Sequence, residues 1–419
     1  MDWIVRKAHF LSFCLFIILT NAQINTELDA IHAASASLND FAVKLLLQSV
    51  DYLGENFNIA LAPYPVWSLL TILAEGARDE TERQLEETLS IPSGKDRAQF
   101  RKSFKTLKKY LKQKSDGIEL DISNSIFVTK EQNLNKTYQL LVKNFYDVDV
   151  MPIDFKNLIQ SQNIINSHIA KLTNNKITNL VTVDDLVDAQ ILLTSTLYFK
   201  GRWMLPFNKS ATFKDKFYDE KGNEKGEVMM MYQIGTFPFF MLPNIKAHVV
   251  ELPYGKGDRM SMIVVLPRKK EELSTILKKI SAMPFKVILE ALEDARQYDE
   301  DVMMYLPRFS IISDFILNAI LYEMGIKDVF NENVANLLGI FPEYLYLSRV
   351  IQQAKIDVDE EGTEAAAAAG GVVSFKNTPP RFYANKPFAF FIIDKQTKSI
   401  VFEGKVSNPS SICSTCNVP

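Results

Sequence analysis

Lys376 is the residue most open to chemistry, and that chemistry would be done to it. It closes a strip from Ala365 to Phe375 that carries no charge and no proline. A trypsin-like protease would cut after such a lysine. Before the strip stand Glu360, Glu361, Gly362, Thr363 and Glu364, and the strip opens on Ala365, Ala366, Ala367, Ala368 and Ala369. Side chains this small can lie as an exposed loop, or they can enter the middle of a β-sheet. Proline would remove a ladder hydrogen bond there, and a buried charge would be strongly unfavourable. Taken alone, the strip also reads as an Ala/Gly linker or a short helix.

Other chemistry is thinly supplied. The histidines, His9, His32, His168 and His248, form no metal-ligand spacing, and there is neither a phosphate loop nor a nucleophile elbow. An enzyme in its own right is not expected, and no cofactor or metal is required. Cys413 and Cys416 sit in a polar tail over residues 410–419. In an oxidising compartment they could close a local disulfide or pair with another chain, whereas a zinc ribbon would need a second pair.

These residues sit in a chain of 419 with 47% hydrophobic and 23% charged residues, enough for a substantial core. A net charge of -3 gives no global pull toward nucleic acid. Arg6 and Lys7 precede an apolar run from Phe10 to Leu19, and Thr20-Asn21-Ala22 supplies a small-residue exit. Residues 1–22 therefore read as a secretory signal, with a mature chain starting near Gln23. No other apolar run is long enough to span a membrane. The expectation is a secreted, soluble monomer. Secretion makes the sequons at Asn135 and Asn208 candidate N-glycosylation sites.

Asn39-Asp40 reads as the cap of an amphipathic helix carrying Phe41, Val43, Leu45, Leu46 and Val50. Val66 to Glu75 reads as a buried helix, and Thr81 through Leu89 as a short amphipathic one. Helical patterns also run over Tyr138–Phe145, Asn163–Leu172, Glu271–Ile280 and Phe315–Met324. Strand patterns fall at Ile118–Val128, Ile191–Phe199, His248–Leu252, Ser261–Leu266, Met303–Leu306, Ala389–Ile393 and Ile400–Phe402. Strands so dispersed imply one interwoven α+β domain over residues 23–409.

Charge is uneven in one place. Between Lys95 and Lys114, Phe100, Phe104, Leu107 and Leu111 recur at helical spacing and should face the core. Arg101, Lys105, Lys108 and Lys112 recur on another face, with Lys102 and Lys109 beside them, and only Asp96 opposes them locally. Such a stripe is either a solvated face or a binding site for a heparin-like polyanion, a glycosaminoglycan.

The end of the chain resembles a serpin. The hinge Glu360 to Ala368 matches, as do Asn385-Lys386-Pro387-Phe388 and the closing Phe402-x-Gly404-x-Val406-x-Asn408-Pro409. Further matches are Tyr198-Phe199-Lys200-Gly201-x-Trp203, Glu251-Leu252-Pro253-Tyr254, Leu306-Pro307-Arg308 and Met324-Gly325-Ile326, in family order. The resemblance implies three β-sheets (A, B and C), eight or nine helices and an exposed reactive-centre loop over about 360–380. It also implies a suicide mechanism against a serine protease, in which the cut loop enters the main sheet as a new strand.

In that strand Thr363, Ala365, Ala367 and Ala369 would share one face, all small, and Glu364 the other. Counting sixteen residues from Glu360, or aligning Pro379-Pro380, places the cut at Lys376–Asn377. A slip to Phe375 is the competitor. A lysine suits a pocket with a buried aspartate, hence a trypsin-like target held in a covalent complex. A non-inhibitory carrier and a cysteine-protease inhibitor are the alternatives.

The resemblance also implies that Arg308 pairs with Glu360 and that Trp203 stands where the sheet opens. Their plainer readings are a weak surface ion pair and an ordinary core aromatic. The family's usual serines appear as Ala62 and Pro65, its histidine as Gln352 and its asparagine as Ser195. That departure leaves the ease of sheet opening undecided.

Overall fold

The most apolar stretches of the sequence lie deepest in the structure. Every residue of the strands Met260–Pro267 and Phe388–Asp394 is buried. A run that is apolar on both faces needs cover on both, and neighbouring strands and helices supply it. In the computed structural model the described residues are 28–29, 31–113, 116–146, 148, 150–242, 244–298, 300–361, 378–409 and 413–414. Among them are nine α-helices and three β-sheets.

The core sheet has six strands in the order Ile59–Leu61, Ser399–Val406, Phe388–Asp394, Met260–Pro267, Ala247–Tyr254 and Phe239–Leu242, all antiparallel. A smaller sheet joins Arg381–Tyr383, Asp301–Pro307, Glu224–Thr236 and Phe213–Tyr218. There the side chains alternate: Val302, Met304 and Leu306 are buried while Asp301, Met303 and Tyr305 are half-buried. This is the period of a strand with one face in the core.

The main sheet runs Cys413–Ser414, Phe309–Ile316, Leu347–Val358, Ile191–Gly201, Ile118–Thr129 and Val150–Ile153. Its two central strands, Leu347–Val358 and Ile191–Gly201, are parallel neighbours paired directly from Arg349↔Leu192 to Ile356↔Phe199. The helix Pro63–Ala74, buried along its whole length, contacts both Ile118–Thr129 and Ile191–Gly201.

Two expectations from the sequence fail. Asn39-Asp40 caps nothing, because the first long helix runs over residues 31–53 and holds them in its interior. Asn39 is buried instead, donating to the Lys398 carbonyl at 2.7 Å and accepting from the Ile400 amide at 2.7 Å. Its amide group serves a strand distant in sequence, and Ile31, Ala34 and Leu38 extend the apolar stripe upstream. Likewise Phe315 and Ile316 end the strand Phe309–Ile316, and the helix covers only Asn318–Glu323. Asn318 marks the change, donating to the Ser348 carbonyl and accepting from the Val350 amide. The Tyr138–Phe145 pattern is also split, into the helix Lys136–Leu141 and a π-helical turn Val142–Tyr146.

Candidate functional site

All three sheets converge where the strand Leu347–Val358 ends. Arg308 is the single residue between Asp301–Pro307 of the small sheet and Phe309–Ile316 of the main sheet. Trp203 follows Ile191–Gly201 and bridges to Tyr254 at the end of a core-sheet strand, the two rings stacked at 4.4 Å and 13°. Thr212 immediately precedes Phe213–Tyr218.

Their side chains meet on Asp359 and Glu360. Arg308 Nη2 donates to both Glu360 carboxylate oxygens at 2.6 Å, and Thr212 Oγ1 donates to Oε1 at 2.6 Å. Trp203 Nε1 donates to the Asp359 carbonyl at 2.8 Å. Burial alone would raise the Glu360 pKa. The hydrogen bonds from Arg308 and Thr212 outweigh it and hold the carboxyl below its ordinary range.

The pair is more than a surface contact, since the Glu360 side chain is 1% exposed although Arg308 is 46% exposed. One residue on, Lys209 pairs with Glu361 at 3.0 Å in solvent. Thr212 and Lys209 were not singled out in the sequence. Lys209 was visible only as the middle of a sequon, and Thr212 carried no signal.

Lower on the same strand, Gln352 and Ser195 face each other across the central pair, and Asn124 stands opposite Ser195 on the next strand. Gln352 and Ser195 are fully buried. The Gln352 amide donates to the Ala62 carbonyl at 2.8 Å and to Ser195 Oγ at 3.2 Å, and it accepts from the Ala62 amide at 3.2 Å. Asn124 donates to the Pro65 carbonyl at 3.3 Å. This row therefore ties three strands to the start of the helix Pro63–Ala74. With Ala62 and Pro65 lacking polar side chains, their backbone groups take the bonds, and a single glutamine carries most of them.

The basic stretch folds as expected into the helix Arg97–Leu111, with Phe100, Phe104, Leu107 and Leu111 buried. One expectation about its charges is corrected. The cations are opposed by more than Asp96, because Glu75, just past the end of the helix Pro63–Ala74, reaches Arg101 at 2.7 Å and Arg97 at 3.5 Å. Glu75 comes from a distant turn, so no local spacing announced it. Lys108 is half-buried and bonds the Tyr146 carbonyl, while Lys102, Lys105, Lys109 and Lys112 are exposed. Asn135 and Asn208 are also exposed, each accepting at 2.9 Å from the backbone amide two residues on.

Of the loop, Glu360, Glu361, Thr378, Pro379 and Pro380 are described. Gly362, Thr363, Glu364, Ala365, Ala366, Ala367, Ala368, Phe375, Lys376 and Asn377 lie outside the described residues, as do residues 1–27 and Cys416. The backbone of Cys413–Ser414 pairs in parallel with Ile312 and Ser313, at the edge of the main sheet.

The chain matches the family model for "Serpin (serine protease inhibitor)" over residues 36–409. It is 32% identical to Serpin B11 of Mus musculus over 371 residues, covering 84% of this chain and 93% of that protein. Leukocyte elastase inhibitor A of Mus musculus is 31% identical, covering 89% and 99%. Among solved structures, Manduca sexta serine protease inhibitor (serpin)-12 superposes with a TM-score of 0.77 at 26% identity, covering 91% and 99%. The three sheets, the nine helices and these matches agree, and the chain belongs to the serpin family.

Proposed function

We propose that this serpin is a secreted inhibitor that traps a trypsin-like serine protease at Lys376–Asn377. The protease serine oxygen attacks the Lys376 carbonyl carbon, the bond to Asn377 breaks, and the new amine takes its proton from the protease histidine. The ester that remains is hydrolysed only while the protease keeps its triad and oxyanion hole in register. Dragging the attached protease across the molecule destroys that register.

One observation carries the reading. The parallel pair Leu347–Val358 and Ile191–Gly201 has the hinge Glu360 fixed at its mouth by Arg308, Thr212 and, through Asp359, Trp203. A segment leaving there and turning back would lie antiparallel to both neighbours, replacing one parallel ladder by two antiparallel ones. Antiparallel ladders are slightly more stable per residue, and the number of ladders rises. Thr363 and the alanines that follow are small enough to enter.

Incubation with trypsin should give a complex that survives SDS, with the chain cut between Lys376 and Asn377. Cleavage there without a stable complex would exclude inhibition. The exposed Lys102, Lys105, Lys109 and Lys112 support binding of a heparin-like polyanion to the helix Arg97–Leu111. Heparin should then speed trapping in a salt-dependent way, and an unchanged rate leaves those lysines as a solvated face. Secretion makes Asn135 and Asn208 glycan acceptors, detectable as a mass loss on enzymatic deglycosylation.

A further inference from the structure

We propose that residues 410–419 are a built-in cap for the main sheet, lying along its outer strand and seating Val418 in a groove at that strand's end. The cap keeps this edge from pairing with a second chain. The strand Phe309–Ile316 is bonded to Leu347–Val358 on one side. The described residues that pair with its other side are Cys413 and Ser414, in parallel register with Ile312 and Ser313. Without them an eight-residue strand would present unpaired amides and carbonyls, a template on which another chain can add.

Two fixed points set the path of the segment. It leaves the core sheet at Ser407 and Asn408, whose amides both donate to Asn58 Oδ1 at 2.8 Å. Asn58 Nδ2 donates in turn to the Asn408 carbonyl at 2.7 Å. Pro409 is buried, and four residues on, within a reach of about 14 Å, the ladder with Ile312 begins. Composition suits a strand, since residues 410–419 carry no charge and Ile412, Thr415 and Val418 are β-branched.

The direction of the ladder selects what the following residues meet. Both strands run toward Ile316, so continuing the register sets Asn417 beside Ile316 and Val418 beside Leu317. Next comes Asn318, which opens the helix Asn318–Glu323 and lines a groove of about 620 Å³ with Tyr52, Ala319, Tyr322 and Phe330. Ile316, Tyr322 and Tyr52 are 47%, 47% and 43% exposed, an apolar cluster at the end of the strand to which the ladder points. From Ser414 to Val418 the reach is about 14 Å, matching the four residues from Ser313 to Leu317. Val418 is the first aliphatic residue after the ladder, and it arrives at the groove. Three residues apart on one strand, Cys413 and Cys416 stand about 10 Å apart, beyond the reach of a disulfide. The capped chain therefore leaves them unjoined.

Two experiments test the cap. In the full chain with Cys413→Ser and Cys416→Ser, the added pair Ala319→Cys and Val418→Cys should close an intramolecular disulfide under mild oxidation by glutathione disulfide, as read by peptide mapping. With Ile159→Cys, on a remote exposed helix face, in place of Ala319→Cys, none should form. In the second experiment a chain stopped after Pro409 is compared with the parent. Hydrogen exchange at the outer amides of Phe309–Ile316 should speed at least about tenfold. Light scattering should show the shortened chain associating as concentration rises, and Ile312→Lys should suppress that association, as lysine does on exposed edges.

Absence of a disulfide between positions 319 and 418, or equal joining at position 159, would mean that the segment is not seated. A disulfide formed only between two chains would make a second copy the occupant. A parent with Cys413 joined to Cys416 would exclude the extended strand. Unchanged exchange in the shortened chain would remove the pairing, and a shortened chain that stays monomeric would remove the guarding role. Each of these results overturns the proposal. None of the measurements involves a protease, so they leave the reading of Lys376 untouched.

Discussion

The strand Leu347–Val358 is held in two places by opposite kinds of chemistry. At its end the grip is ionic and reaches solvent: Arg308 and Thr212 bond Glu360, while Trp203 bonds the Asp359 carbonyl. Midway the grip is neutral and sealed, with Gln352 tying Ser195 across the pair and both backbone groups of Ala62 beneath it. The end behaves as a latch, because an ion pair with one partner half-exposed is screened and easily remade. The middle behaves as a cross-tie, because breaking it leaves buried polar groups without partners. Among the described residues only one side-chain bond, Gln352 to Ser195, crosses between the two strands themselves at this row. An entering strand must give that bond up, while the bonds from Gln352 to Ala62 can stay.

The largest effect expected is at the first step of entry. Thr363→Arg puts a charge where the strand passes beneath the helices, at a cost of about 3–5 kcal/mol when buried unpaired. Trypsin should still cut at Lys376–Asn377, but gel analysis should show no stable complex. A variant that traps like the parent would remove the idea that entry starts at the hinge.

Next comes the cross-tie. Gln352→Ala leaves the Ala62 amide unpaired in the core, removes one bond to its carbonyl, and should cost about 1–3 kcal/mol. Thermal unfolding followed by circular dichroism should show a clear fall in the midpoint. An unchanged midpoint would mean that the row does not hold the pair closed.

Glu403 sharpens the contrast with Glu360. It is fully buried in the core-sheet strand Ser399–Val406, and neither carboxyl oxygen has a hydrogen-bond partner among the described residues. Burial pushes its pKa well above the ordinary range, so the folded chain holds it protonated. Such a group favours the fold least once pH exceeds its ordinary pKa, because the unfolded chain then ionises and the folded one does not. Glu403→Met should stabilise the chain by about 1–3 kcal/mol at neutral pH, and by less in acid. Stabilisation that grows as pH falls would contradict this assignment.

Glu360 has the opposite sign. Its folded pKa is lowered, so its contribution is complete above the ordinary carboxylate range and is lost as pH falls through the folded value. Glu360→Gln should cost about 1–2 kcal/mol at neutral pH, discounted because solvent screens Arg308, and almost nothing in acid. Parallel melts of parent and variant across pH would show whether the curves converge.

The sequence exposed whatever depended on local pattern. Apolar runs such as Met260–Pro267 read as strands, and Phe100, Phe104, Leu107 and Leu111 read as one helix face. Arg308 and Trp203 were reachable through the family resemblance. What stayed hidden depends on partners brought from elsewhere. Asn39 looked like a cap because asparagine usually caps, yet its amide is consumed by Lys398 and Ile400. Phe315 and Ile316 suit a helix or a strand equally well, and pairing with Gln352 and Ile351 decides for the strand. Glu75, Asn124 and Thr212 act across elements, where no spacing in the sequence points to them.

The most direct test of strand entry uses Tyr198 and Lys355, which face each other across the central pair. A Tyr198→Cys, Lys355→Cys double variant places two thiols on adjacent strands, within the reach of a disulfide. An inserted strand would separate those backbones to about 9.6 Å, twice the interstrand spacing, and beyond that reach. Reduced, the variant should trap trypsin in an SDS-stable complex. Oxidised, it should be cut at Lys376–Asn377 and release active trypsin. Stable complexes in the oxidised form would show that trapping needs no opening of this pair, and would contradict the account.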